Sequence, residues 1–172
     1  MGEVSRRSQV ILINEIIRYH VSRPIPSIGD IALDKSQDEE THTSVHSSLQ
    51  TQGYSLGAKI ISRLTLSKGR IWESNKCMVF ICRDLWIYLF GKQATRLQSN
   101  SQGVYIVFSD DIYWLENVNF NPSKDVDNPK YQNTSVNVYR TLYLSLISGI
   151  IKGSLESLGF PSTVDAVFDE HC

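Results

Sequence analysis

Residues 77–91 read Cys77-Met78-Val79-Phe80-Ile81-Cys82-Arg83-Asp84-Leu85-Trp86-Ile87-Tyr88-Leu89-Phe90-Gly91, the densest block of large apolar side chains in the chain. At helical spacing Met78, Cys82, Leu85 and Leu89 fall on one line, and Val79, Trp86 and Phe90 on the next. The resulting apolar face is wider than a coiled-coil seam, with Arg83 and Asp84 as its polar break. A strand of this length is unusual, and a membrane span does not carry Arg83-Asp84 near its middle. Ser74 offers an N-cap and Gly91 a stop just beyond the last turn. The stretch is read as a buried central helix.

The rest of the composition bounds the answer. A chain of 172 residues, 41% hydrophobic, has enough apolar material for one good core. Its net charge of −1 provides no global field for nucleic acid or anionic lipid. Three cysteines, Cys77, Cys82 and Cys172, form no regular framework and suit a reducing compartment. The apolar run after Arg6-Arg7 is broken by Asn14-Glu15 and lacks a small-residue cleavage site, so no secretory leader is expected. Asn133-Thr134-Ser135 is therefore expected to stay unglycosylated, and Arg6 stands where a myristoylation signal needs Ser or Thr. The expected location is cytoplasmic.

Outward from the central stretch, residues 9–21 predict a first helix on which Val10, Ile11, Leu12, Ile13, Ile16, Ile17 and Tyr19 cover more than one face. Such a helix is either deeply buried or keeps part of its surface for a partner. Residues 22–48, with Pro24, Pro26, Gly29 and the acidic run from Asp34 to Ser44, predict a mobile linker. Residues 49–67 predict a second helix, on which Gly53 and Gly57 share one face and admit another backbone. After Gly91 the period changes. Residues 94–100 and 103–108 flank an Asn-Ser-Gln-Gly turn and predict a β-hairpin. Residues 109–133 are irregular, although Ile112 to Leu115 should pack back. Residues 135–158 predict a last helix with a core stripe of Leu144, Ile147, Ile151, Leu155 and Leu158. Beside it Ser145, Gly149, Gly153 and Ser157 make a small-residue face. Residues 162–168 alternate as a short strand. The order is α+β: one domain over 1–172, about four helices packed on a small twisted antiparallel sheet.

No catalytic constellation assembles from these residues. His42 and His46 have ligand spacing but lie in the polar stretch with no further His or Cys nearby. Cys77 and Cys82 fall on different helical faces and read as buried small apolar groups. Gly149-Ile150-Ile151-Lys152-Gly153-Ser154 lacks the residue order of a phosphate loop and falls inside a helix. The carboxylates at Asp110-Asp111 and Asp38-Glu39-Glu40 read as solvated. No metal, cofactor or catalytic residue is expected, and no nucleic-acid partner.

The run from Val79 to Trp86, continued by Phe90-Gly91-Lys92-Gln93 and Asn100-x-x-Gly103-x-Tyr105, resembles the signature of the TRAPP small subunits. More narrowly it resembles the subunit-six branch of the BET-three-like family. Leu12-Ile13-Asn14-Glu15, Gly53-Tyr54-x-x-Gly57, Gly149 to Gly153 and Leu158-Gly159 agree with that branch in order. The resemblance implies a non-catalytic subunit of a vesicle-tethering assembly acting in ER-to-Golgi and intra-Golgi transport. It also implies peripheral membrane association and contact with a Rab GTPase only through the complex. Partners are other TRAPP subunits, above all a paralogous small subunit of the same fold, paired largely through the first two helices. The candidate interface residues are then Val10, Ile13, Ile16, Ile17, Gly53, Gly57, Ile61 and Leu64. The central paralogue's lipid-bearing cysteine has no counterpart around Arg70-Ile71-Trp72, so no acylated site is expected. Branch members also continue into a further strand beyond the one expected at 162–168, which leaves three strands and an unpaired edge here. Truncation, an alternative transcript and a strand supplied by a partner all fit this ending. The competing class is a small-molecule or lipid carrier, with the glycine-marked helices lining an apolar channel.

Overall fold

The computed structural model describes residues 6–22, 36–66, 68–69, 71, 73–110, 112–116 and 129–168. In chain order the elements are α1 (Arg6–Ser22), α2 (Ser36–Leu64), α3 (Ser74–Phe80), a π-helical turn (Ile81–Leu85), α4 (Trp86–Phe90), β1 (Arg96–Ser99), β2 (Tyr105–Phe108), α5 (Tyr113–Glu116) and α6 (Pro129–Ser157). The fold is α+β, a helical layer with a two-stranded antiparallel sheet.

The predicted central helix is present as an unbroken rod from α3 through α4. Met78, Cys82, Leu85 and Leu89 are all buried, as are Trp86 and Phe90, whereas Val79 is half exposed. Two local features differ from the simple reading. The cap is Glu73, in extended backbone geometry, and Ser74 is already helical. The Ser74 hydroxyl instead meets the Tyr105 hydroxyl, 3.1 Å away, so β2 takes the group that would have capped the helix. The rod also widens into a π-turn at residues 81–85. There the Cys82 carbonyl accepts a hydrogen bond from the Ala94 N–H (2.8 Å), an acceptor that a regular helix would use internally. The chain leaves the rod at Gly91, where φ is 76°, and that bond brings it back to begin the hairpin.

The hairpin pairs Arg96 with Phe108, Leu97 with Val107, Gln98 with Ile106 and Ser99 with Tyr105. Leu97, Tyr105 and Val107 pack against the core, while Ile106 on the opposite face is exposed. The Trp86 indole N–H donates to Ser109 Oγ (3.1 Å), which ties the end of β2 to the rod. Trp114 on α5 is buried edge-to-face on Phe90, with centroids 4.9 Å apart.

The linker expected at 22–48 is corrected over its second half: residues 36–48 are the first turns of α2. Composition alone offers this segment little to bury. But Leu49 is fully buried and Val45 packs on the core, and the His46 ring bonds Ser145 on α6. Extending a helix already nucleated costs far less than starting one. Residues 23–35 lie outside the described residues, as does 117–128.

The strand expected at 162–168 is also corrected. It joins no ladder, and among the described residues the sheet has two strands. Val164 packs against the core, and the Arg140 guanidinium stands 4.5 Å over the Phe168 ring. Apolar alternation describes a segment that packs on one side; a strand also needs a neighbouring backbone, and here helix α6 takes that place.

Candidate interaction surface

The interior is organised by a seam between α2 and α6. Gln50 meets Gly149, Tyr54 meets Gly153, Gly53 meets Leu146, and Gly57 meets Ile150. Each contact advances along both helices together, so the two run parallel. A Cβ added at Gly57 would lie 2.0 Å from the Ile150 carbonyl oxygen, and one at Gly153 would lie 2.1 Å from that of Tyr54. Backbone therefore touches backbone, which only residues without a side chain allow. Two hydroxyls fasten the seam. Ser154 Oγ is buried between the carbonyls of Gly57 (3.2 Å) and Ile150 (2.8 Å). Ser145 Oγ lies 3.0 Å from the Thr141 carbonyl and 2.6 Å from His46 Nδ1, which joins the start of α2 to α6.

Five of the eight predicted interface residues are buried within the chain itself. Gly53 and Gly57 are buried against α6, and Ile61 is fully enclosed. On α1, Ile13 (7% exposed) and Ile17 (2%) point into the core, while Val10, Ile16 and Leu64 are partly buried against it. The buried residues have no surface left to give, whereas Val10, Ile16 and Leu64 keep part of theirs.

The bare surface lies on the other side of α1. Ser8, Ile11, Leu12, Glu15, Arg18 and Tyr19 form its outward face. Ile11 and Leu12 are each 61% exposed and Tyr19 58%. Glu15 and Arg18 pair across one turn at 3.2 Å, a solvated contact of little energetic weight. The inward face of α1 is partly polar: Asn14 accepts from the Tyr143 hydroxyl, Gln9 meets Tyr113, and His20 bonds Gln52. These bonds fix the rotation of α1, so its remaining apolar side chains face outward. The adjacent outward face of α2 is different in kind. Ser44, Ser47, Thr51, Ser55 and Ser62 are exposed there, and the hydroxyls of Ser47, Thr51 and Ser62 bond carbonyls one turn earlier.

The sequence model of the transport protein particle (TRAPP) component family matches residues 10–172. The chain belongs to this family. It is 30% identical over 118 residues to mouse trafficking protein particle complex subunit 6B, a match that covers 69% of this chain and 67% of that protein. Human subunit 6B is 29% identical over the same shares. An uncharacterized fission-yeast protein is 29% identical over 132 residues, 77% of this chain but 48% of its own length, so the chain spans about half of that relative. These relatives place it with the subunit-six type.

Among the described residues of this TRAPP component, the surroundings shift several ionisable groups. Burial raises the thiols of Cys77 and Cys82 to about 11, so neither is a thiolate near neutral pH. Burial would also raise the Asp84 carboxyl. Hydrogen bonds from Lys68 (2.5 Å) and Arg83 (2.9 Å), with their charges, outweigh that and hold it below the usual carboxylate range. The Tyr54 hydroxyl is raised, chiefly by its hydrogen bond with Glu156. A polar cleft of about 270 Å³ lies where Val164, Asp165 and Ala166 of the tail cross His46, Gln50 and Ser145. Sequence periodicity counted Ile11, Leu12 and Tyr19 as apolar but did not separate them from Ile13 and Ile17. The signal that separates them is polar: Gln9, Asn14 and His20 mark the inward side only once their partners are known.

Proposed function

We propose that the chain is a non-catalytic adaptor subunit of a TRAPP vesicle-tethering particle, acting by pairing with a paralogous small subunit through the outward face of α1. The observation that carries this is the exposed pair Ile11 and Leu12, with Tyr19 two turns on, beside a helix whose outward face is lined with Ser and Thr. Family membership supports the particle, and the exposed face supports the mode of joining it. Transport between the endoplasmic reticulum and Golgi, and influence on a Rab GTPase, belong to the particle in this reading. No helix among the described residues is long and apolar enough to cross a membrane, so association with membranes is assigned to the particle as well.

Size constrains the interface. A helix of 17 residues is about 25 Å long, and with a face about 10 Å wide it offers on the order of 250 Å². A standard interface takes about 800 Å² from each partner. Pairing therefore extends past α1 onto the neighbouring polar surface of α2, with the apolar pair at its centre and hydroxyls at the rim.

The test is co-expression with the paralogous small subunit. Ile11→Asp with Leu12→Asp is expected to abolish co-purification while leaving helical content and melting behaviour nearly unchanged. Retained co-purification with a folded variant would refute this interface.

A further inference from the structure

A groove of about 460 Å³ opens beside the first turns of α3, far in sequence from α1. Its floor is apolar, made by Ile71, Val79 and Phe80, and its rim carries Lys68, Lys76 and Arg83. Those rim charges are unevenly matched. Lys76 pairs with Glu73 at 2.8 Å. Lys68 and Arg83, by contrast, share the single carboxylate of Asp84, one on each oxygen. Among the described residues one positive charge is thus left over, and Lys68 sits against the floor, its Nζ 4.3 Å from the centre of the Phe80 ring.

We propose that this groove docks an acidic–apolar segment of a partner protein. A large apolar side chain would rest on Ile71, Val79 and Phe80, and a flanking Asp or Glu carboxylate would bridge Lys68 and Arg83. The volume falls within the range of about 300–1,000 Å³ typical of binding sites and suits one or two such side chains. A carboxylate between an ammonium and a guanidinium makes charge-assisted hydrogen bonds to both. An anionic membrane fits less well. Bilayer attraction accumulates at about 1 kcal/mol per surplus basic residue, and a single surplus charge provides little of it. The site shares no residue with the α1 face and stands or falls independently of it.

The test places a photo-crosslinking residue at Val79 in the chain assembled with its partners in cells, and maps the adduct by mass spectrometry. The expected adduct is a protein segment with a large apolar residue within two positions of Asp or Glu. A synthetic peptide of that segment should bind the purified chain, more weakly as salt rises. Arg83→Glu should weaken it about tenfold or more, while Lys59→Glu, exposed on α2 and outside the groove lining, should change it by no more than about threefold. Melting curves of both exposed-site variants should overlay the wild type. A lipid adduct, an adduct lacking acidic residues, no adduct, or peptide affinity unchanged in Arg83→Glu would each overturn the proposal.

Discussion

Gly57 on α2 comes so close to its neighbour that a Cβ would lie 2.0 Å from the Ile150 carbonyl oxygen, whereas Ile11 on α1 leaves 61% of its surface in water. Both positions stand out by sequence alone, one as a glycine inside a helix and the other as a large apolar residue on a helix with too many of them. They use that unusual character in opposite directions. At the seam, missing side chains let α2 and α6 meet along parallel axes, so nothing remains to bind from outside. On α1, an excess of side chains exceeds what its own domain covers. The lesson is that an interface is not marked by the most conspicuous motif: the glycine pair reads as a docking site and is interior packing.

The seam should give the largest effects. Gly57→Leu would force a branched side chain into backbone and should prevent accumulation of folded protein. Gly57→Ala is expected to cost about 3 kcal/mol or more, read from denaturant melts. A near-wild-type Gly57→Ala would refute backbone contact at the seam.

Next comes the contrast within α1. Ile13→Asp with Ile17→Asp places charges at positions that are 7% and 2% exposed. It should destabilise the chain by more than ~4 kcal/mol. Ile11→Asp with Leu12→Asp should change stability by no more than ~1 kcal/mol while removing the partner. If both doubles behaved alike, the inward and outward faces of α1 would not be distinct.

A smaller effect tests what sets the rotation of α1. Asn14→Ala strips the acceptor from the Tyr143 hydroxyl and should cost about 1–2 kcal/mol, with Tyr143→Phe in the Asn14→Ala background adding little. Full additivity of the two would show that the bond contributes nothing.

The smallest effect lies at Asp84. Its folded carboxyl titrates below the unfolded value near 3.9, so its contribution is present above that pH and is lost as pH falls through the folded value. Asp84→Asn should lower stability at pH 7 by at most ~1 kcal/mol and converge with wild type in acid. A gap that widened as pH fell would reverse the assigned direction.

Much of this molecule was legible before any coordinates. The rod from Ser74 to Phe90, the hairpin and the small-residue faces of α2 and α6 each carry a local signature: a wide apolar face, a change of period, glycines four residues apart. The errors share another cause. Residues 36–48 look solvated by composition yet are helical because Leu49 and His46 anchor them, and residues 162–168 alternate like a strand yet lie against α6. The π-turn at 81–85 has no sequence mark at all; it accompanies a hydrogen bond from Ala94, outside the helix.

What the chain determines by its order of residues is which segments bury apolar surface and with what period, because 3.6- and 2-residue repeats are properties of the backbone. What only the tertiary structure decides is the rotation of each helix about its own axis, and with it which apolar side chains remain outside. That choice on α1 rests on Tyr143, Tyr113 and Gln52, partners far away in sequence whose hydrogen bonds turn Ile13 and Ile17 inward and leave Ile11 and Leu12 facing water.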